Sequence, residues 1–320
     1  MNHTTIVYII FGIVLLVALS LDLGLVNKKG KEISLKASIV QTIFWVALSV
    51  LFWLFVWYEN GTVAATKYIS AYLMEWSLSI DNIFVFILIF ASFKIKKKDI
   101  GFTLLIGILL AIVFRIIFIA VGIGLIERFH WIMYIFGVFL LYTGLKLFFQ
   151  KNGHDKNPAD GKFFQWVKKH LPFTDEEPHG KFAIKKNGKK FYTILTLVVI
   201  VLAGTDIAFA LDSIPTVVSL VKESPTAPFS SSDIIIIYSS NIFAVLGLRS
   251  LFFLLQGAAD KFKYLQQGIA VILVFIGAKM LVEIFHITIP IAVSLGVIVL
   301  CVVASILFSI AKNNAQKQKA

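Results

Sequence analysis

EWSLSIDN at residues 75–82 and DIAFALDS at residues 206–213 each carry two acids at the same spacing, Glu75 with Asp81 and Asp206 with Asp212, deep in hydrophobic runs long enough to cross a bilayer. A charged group in the hydrocarbon core costs roughly 2.5 kcal/mol or more, so such groups pair, face a wet cavity, or handle ions and protons. Matched acids in two spans predict a cation pathway.

The chain around them is 58% hydrophobic and 15% charged over 320 residues, with a mean hydropathy of +0.88. A soluble domain could not cover that much apolar surface. Runs of twenty-odd apolar residues without strict alternation select helices, because lipid satisfies no backbone group. The expected fold is all-α: a polytopic transmembrane helical bundle of about nine spans, near residues 5–26, 37–58, 66–93, 101–126, 130–149, 192–221, 234–256, 266–286 and 288–311. Residues 1–320 then form a single transmembrane domain.

The net charge of +12 raises nucleic acid as a partner. The basic residues instead fall in short connectors, where they act as topology signals, and nucleic-acid binding is not expected. Of the 30 Lys and Arg, 23 lie in the first, third, fifth and seventh connectors and the C-terminal tail, against Lys67, Arg128 and Lys222 on the opposite side. That bias predicts an outward N-terminus and a cytoplasmic C-terminus. Lys28, Lys29 and Lys31 follow the first apolar run rather than precede it, which argues for a retained helix over a cleaved signal peptide. Cys301 is the sole cysteine, so no intramolecular disulfide or cysteine metal cluster can form.

Three sets of landmarks recur at nearly one offset: the acid pairs at 131 residues, Arg115 with Arg249 at 134, and Gly144-Leu145-Lys146 with Gly277-Ala278-Lys279 at 133. Residues 66–149 and 192–286 are therefore expected to be two copies of a three-helix unit. An odd number of spans per copy makes the second inverted, and inverted repeats place their shared site near the midplane. Residues 150–191 form a basic cytoplasmic loop in which Asn187-Gly188, between short alternating runs, predicts a hairpin. The loop is read as resting on anionic headgroups, with metal sensing through His154, Asp155, His170 and His179 as the alternative.

Acids six residues apart lie about 9 Å and roughly 120° apart on an unbroken helix. Either the helix unwinds, as Gly204 and Pro215 would allow in the second repeat, or each pair splits its acids between the central axis and a neighbouring helix. The candidate metal ligands are Glu75, Asp81, Asn82, Asp206, Asp212 and Ser213, with Asn82 and Ser213 supplying neutral oxygens at matching positions. Oxygen donors without Cys or mid-span His favour Mn2+, Ca2+ or Mg2+ over Zn2+ or Cu+. Crowded carboxylates would take up protons when the metal leaves, which suggests export by proton antiport. No cofactor is expected; the metal ion is cargo, and the oligomeric state is left open. The competing role for the acids is ion pairing with Arg115 and Arg249, which would make one acid per repeat structural. Asp22 sits near an interface, and Lys146 and Lys279 are read as snorkelling structural residues.

EWSLSIDNIFVF, DIAFALDSIP, SSNIFAVLGLRSLFFLL and AVILVFIGAKML together resemble the TerC family of integral membrane proteins, its Alx-type branch in particular, from the first span to the SLGV at residues 294–297. The resemblance implies nine helices in an inner membrane and manganese export, with Glu75, Asp81, Asp206 and Asp212 at the family's acidic motif positions. It also brings an association with tellurite resistance and metal stress. The preference for Mn2+ over Ca2+ rests on this resemblance alone.

Two other classes compete. An intramembrane aspartyl protease would want Gly directly before its aspartate, where Thr205 stands, and a Tyr-Asp partner, where Ile80 precedes Asp81, so no enzyme is expected. A membrane assembly or scaffold factor needs no buried acids, although its loop could bind partners. A Ca2+/H+ exchanger remains within the transporter reading.

Overall fold

The computed structural model describes residues 34–129, 131–149, 169–174, 180–186, 188–222, 228–256, 264–285 and 289–317, with isolated positions between 9 and 20 and at 165 and 287. Helices dominate: α1 is Leu35–Ser92, α2 Lys97–Arg128, α3 Ile132–Phe149, α4 Ile194–Val221, α5 Ser231–Leu255, α6 Leu265–Val282 and α7 Ile291–Lys317. Five of the seven are long and apolar enough to cross a membrane as single spans; α6 is an apolar helix over residues 267–282, and α1 is long enough for two spans.

Those 58 residues of α1 do not run straight. Gly61 has φ +81° and ψ −178°, a conformation essentially confined to glycine. On a straight helix Ser49 and Tyr68 would stand about 28 Å apart, yet the Ser49 Oγ and Tyr68 hydroxyl are 2.9 Å apart. The Trp53 Nε1 likewise donates to the carbonyl of Ala65 at 3.1 Å. Residues 35–60 and 62–92 are therefore two antiparallel arms, matching the two spans expected at 37–58 and 66–93. The described positions between 9 and 20 are helical, and Phe11 packs its ring against Phe52 and Phe243 at 5.4 and 5.7 Å. The fold is a polytopic helical membrane protein.

The second arm of α1 with α2 and α3 makes one unit; α4, α5 and α6 make the other. Packing between them is reciprocal: α1 lies on α5, α2 on α4, and α3 on α6. The last pair shows how the copies relate. A Cβ on Gly144 would meet the carbonyl oxygen of Ala270 and the nitrogen of Val274 at 2.8 Å, and one on Gly277 would meet the nitrogen of Leu141 at 2.6 Å and the carbonyl oxygen of Gly137 at 2.7 Å. Ascending residues on α3 thus meet descending residues on α6, so equivalent helices run antiparallel, as an inverted repeat requires. Helix association in lipid relies on such close approach of small residues, since burial against another helix gains little over burial against acyl chains.

A two-stranded antiparallel hairpin precedes α4, with β1 at Ala183–Lys186 and β2 at Lys189–Tyr192. Lys186 opposite Lys189 closes it with Gly188 at φ +76°, the turn that the Asn-Gly pair predicts. It is fastened to the bundle by the Phe102 and Phe182 rings at 5.6 Å and by Thr193, whose Oγ1 donates to the carbonyl of Lys181 at 2.7 Å. His154, Asp155 and His179 of the same connector, and Asp22, lie outside the described residues.

Gly277→Ala should cost about 1–3 kcal/mol of stability because the new methyl meets backbone that cannot yield. Gly296→Ala, which meets nothing within 4 Å, should cost none. Thermal unfolding of the two variants in detergent separates them.

Candidate functional site

The arm of α1 that bears acids, residues 62–92, and α4 are each continuous. Pro215 lies inside α4 without ending it, so the unwinding that Gly204 and Pro215 would allow does not occur. Glu75 and Asp206 point inward, 0% and 1% exposed.

They meet at one guanidinium. Arg115 of α2, 1% exposed, donates from Nε to Asp206 Oδ2 at 2.9 Å and from Nη2 to Asp206 Oδ1 at 3.0 Å. Its Nη1 donates to Asn241 Oδ1 at 2.7 Å and to Glu75 Oε1. Four helices supply the cluster: Glu75 from the second arm of α1, Arg115 from α2, Asp206 from α4 and Asn241 from α5. Asp206 stands about 18 Å along α4 from its start and roughly 22 Å from its end, which is mid-bilayer for a hydrocarbon core of about 30 Å.

The two-point grip on Asp206 is the strong planar pairing of guanidinium and carboxylate. Two carboxylates against one guanidinium leave a formal charge of −1. Among the described residues, Glu75 Oε2 and Asn241 Nδ2 are buried without a hydrogen-bond partner, as are Ser79 Oγ and Ser213 Oγ on the two acid-bearing helices. Leaving such atoms dry and unpartnered costs about 1–3 kcal/mol each.

Asn82 is 4% exposed and Ser213 1%. Asp81 and Asp212 lie on their helices, but their side chains fall outside the described residues. Among the described residues no three His, Cys, Asp or Glu side chains gather as a metal cluster. Arg249, the counterpart of Arg115, is 2% exposed. Asn241 was not among the expected ligands; its signal was the polar run Ser239-Ser240-Asn241 inside an otherwise apolar span, all three fully buried. Lys279 does not snorkel: its Nζ donates to the carbonyl of Ser219 at 2.9 Å, satisfying a carbonyl at the negative end of α4.

At the end of the bundle away from the hairpin lies a polar cavity of about 330 Å³ lined by residues including Asn60, Lys67, Lys222, Ser230 and Asp233. Lys67 Nζ pairs with Asp233 Oδ1 at 2.9 Å. Asp233 Oδ2 also accepts from the backbone nitrogen of Ser230 at 3.0 Å, completing the capping box that starts α5.

A polytopic helical bundle with acids and an arginine buried at mid-membrane narrows the search among known proteins. Residues 60–317 match the family described as "Integral membrane protein TerC family". The chain belongs to the TerC family. It is 40% identical over 295 residues to the membrane protein STKORF319 of Myxococcus xanthus, covering 92% of this chain and 89% of that one. It is 40% identical over 298 residues to "Putative membrane-bound redox modulator Alx" of Escherichia coli K12, covering 90% and 89%. An uncharacterized membrane protein of Rickettsia felis is 36% identical over 307 residues, covering 96% and 98%. No solved structure matches this TerC protein.

Lys67→Met should lower stability by about 1–3 kcal/mol, less than the roughly 3–5 of a fully enclosed pair because this one borders a cavity. Lys67→Met combined with Asp233→Asn keeps the cap and should recover most of the loss. Melting of the single and double variants in detergent measures the coupling.

Proposed function

We propose that this TerC protein is a secondary transporter that exports divalent metal ions from the cytoplasm, Mn2+ first among them, in exchange for protons. The observation that carries the reading is the convergence of Glu75 and Asp206, from oppositely running repeats, on one buried guanidinium with acceptor and donor atoms left over. A purely structural ion pair would need one acid per arginine. Two acids, an amide and buried serine hydroxyls make an oxygen-rich centre with a negative surplus, to which Asp81, Asp212, Asn82 and Ser213 are assigned as further ligands. Such donors suit Mn2+ and Ca2+ alike; the family resemblance favours Mn2+.

Membership of a bacterial inner membrane, an outward N-terminus and a cytoplasmic C-terminus follow the same reading, from the distribution of Lys and Arg. The hairpin side is then cytoplasmic and the Lys67–Asp233 cavity is outward-facing. The repeats 66–149 and 192–286 would rock about the shared centre, exposing it to one side at a time. The name of the E. coli relative concerns redox. A chain whose one cysteine is Cys301 cannot run an internal dithiol cycle.

Purified protein in proteoliposomes should move Mn2+, with flux that responds to an imposed pH step. Asp81→Ala and Asp212→Ala should each reduce that flux by about a hundredfold or more, by analogy with removal of a directly interacting charge, while remaining monodisperse. Normal flux in both variants would remove the ligand assignment, and flux blind to pH would remove the proton coupling.

A further inference from the structure

We infer that Arg115 is a tethered cation of the transport site, occupying the space between Glu75 and Asp206 when no metal is bound and withdrawing as metal loads. This deepens the transport reading and rests on it. The guanidinium holds acids from both repeats together, and it does so without meeting their full capacity among the described residues. Asp206 is gripped by two parallel N–H bonds. Among the described residues Glu75 is bound through Oε1 only, and its Oε2 is buried with no hydrogen-bond partner. Asn241 offers its carbonyl to the same Nη1, while its Nδ2 is also buried without one.

An arginine built only to neutralise structural acids would be expected to leave no such residue of unmet polarity at the bilayer centre. With Arg115 in place the described cluster carries −1; with it withdrawn, Glu75 and Asp206 present −2, the complement of a divalent cation. The arginine therefore competes with cargo, and the competition has a use. A site of bare carboxylates at mid-membrane would be expensive when empty and would hold a divalent ion too firmly to release it. An internal cation that returns as metal departs lowers both costs. Among the described residues the groups facing Arg115 are Glu75 from α1, Asp206 from α4 and Asn241 from α5, so its return also draws the two repeats together.

The test compares wild type, Arg115→Lys and Arg115→Gln for equilibrium binding of radioactive Mn2+ in detergent and for Mn2+ flux in proteoliposomes. Removing the competing charge should tighten Mn2+ binding by roughly tenfold or more in Arg115→Gln, the scale of one unit charge at close range, and slow release so that maximal flux falls. Lysine keeps the charge but cannot make the two-point grip, so Arg115→Lys should fall between. A structural role alone would reduce the active fraction and would not tighten binding. Unchanged or weaker binding in Arg115→Gln overturns the inference while leaving transport by the wild type intact. If Arg115→Gln does not fold, binding by Arg115→Lys decides: tighter than wild type supports the tether, equal or weaker overturns it. A wild type that neither binds nor moves Mn2+ removes the transport reading and this inference with it.

Discussion

One guanidinium facing two carboxylates in a medium that solvates neither is the constraint around which this membrane protein is arranged. Charge at the bilayer centre is tolerable only when its partners are close and well oriented. The partners of Arg115 come from α1, α4 and α5, so the cluster forms only when three other helices reach it at the same depth. The core packing around it serves that convergence. α5, buried along nearly its whole length, puts Asn241 against Arg115 and packs on the arm of α1 that carries Glu75.

The close contacts of α3 with α6 hold the scaffold together from the side. Their glycines let backbone approach backbone where a side chain would intervene, and helices in lipid depend on such contacts more than on apolar burial. Stiff packing there and an under-satisfied polar centre between α1, α2, α4 and α5 divide the labour. The first ties the two units together through their third helices; the second joins them through polar contacts instead. The ends differ as well. A hairpin is bonded over the starts of α2 and α4, while a polar cavity with one ion pair lies at the other end.

Much of this was legible in residue order. The helical membrane class follows from composition, because no soluble fold covers so much apolar surface and lipid permits little besides helices. The turn between the first two described spans was legible as a gap between apolar runs, though only the backbone angles at Gly61 explain how it closes in one residue. The repeat was legible because acids, arginines and Gly-x-Lys triplets are rare in apolar spans, so their recurrence at one offset stands out. Lys279 was misjudged: a lysine near a span end ordinarily reaches for headgroups, and here a carbonyl at the end of α4 lies closer.

Sequence by itself determined that acids lie at mid-span in two related units, since hydropathy sets depth and spacing sets correspondence. It left undecided which acid meets which arginine, because partners 91 and 40 residues apart are brought together by helix packing that no local pattern encodes. Tertiary structure alone decided that Arg115 serves both repeats at once and recruits Asn241. The reason is geometric: a planar group with donors on three nitrogens can satisfy acceptors from three directions, and only the packed bundle sets those directions.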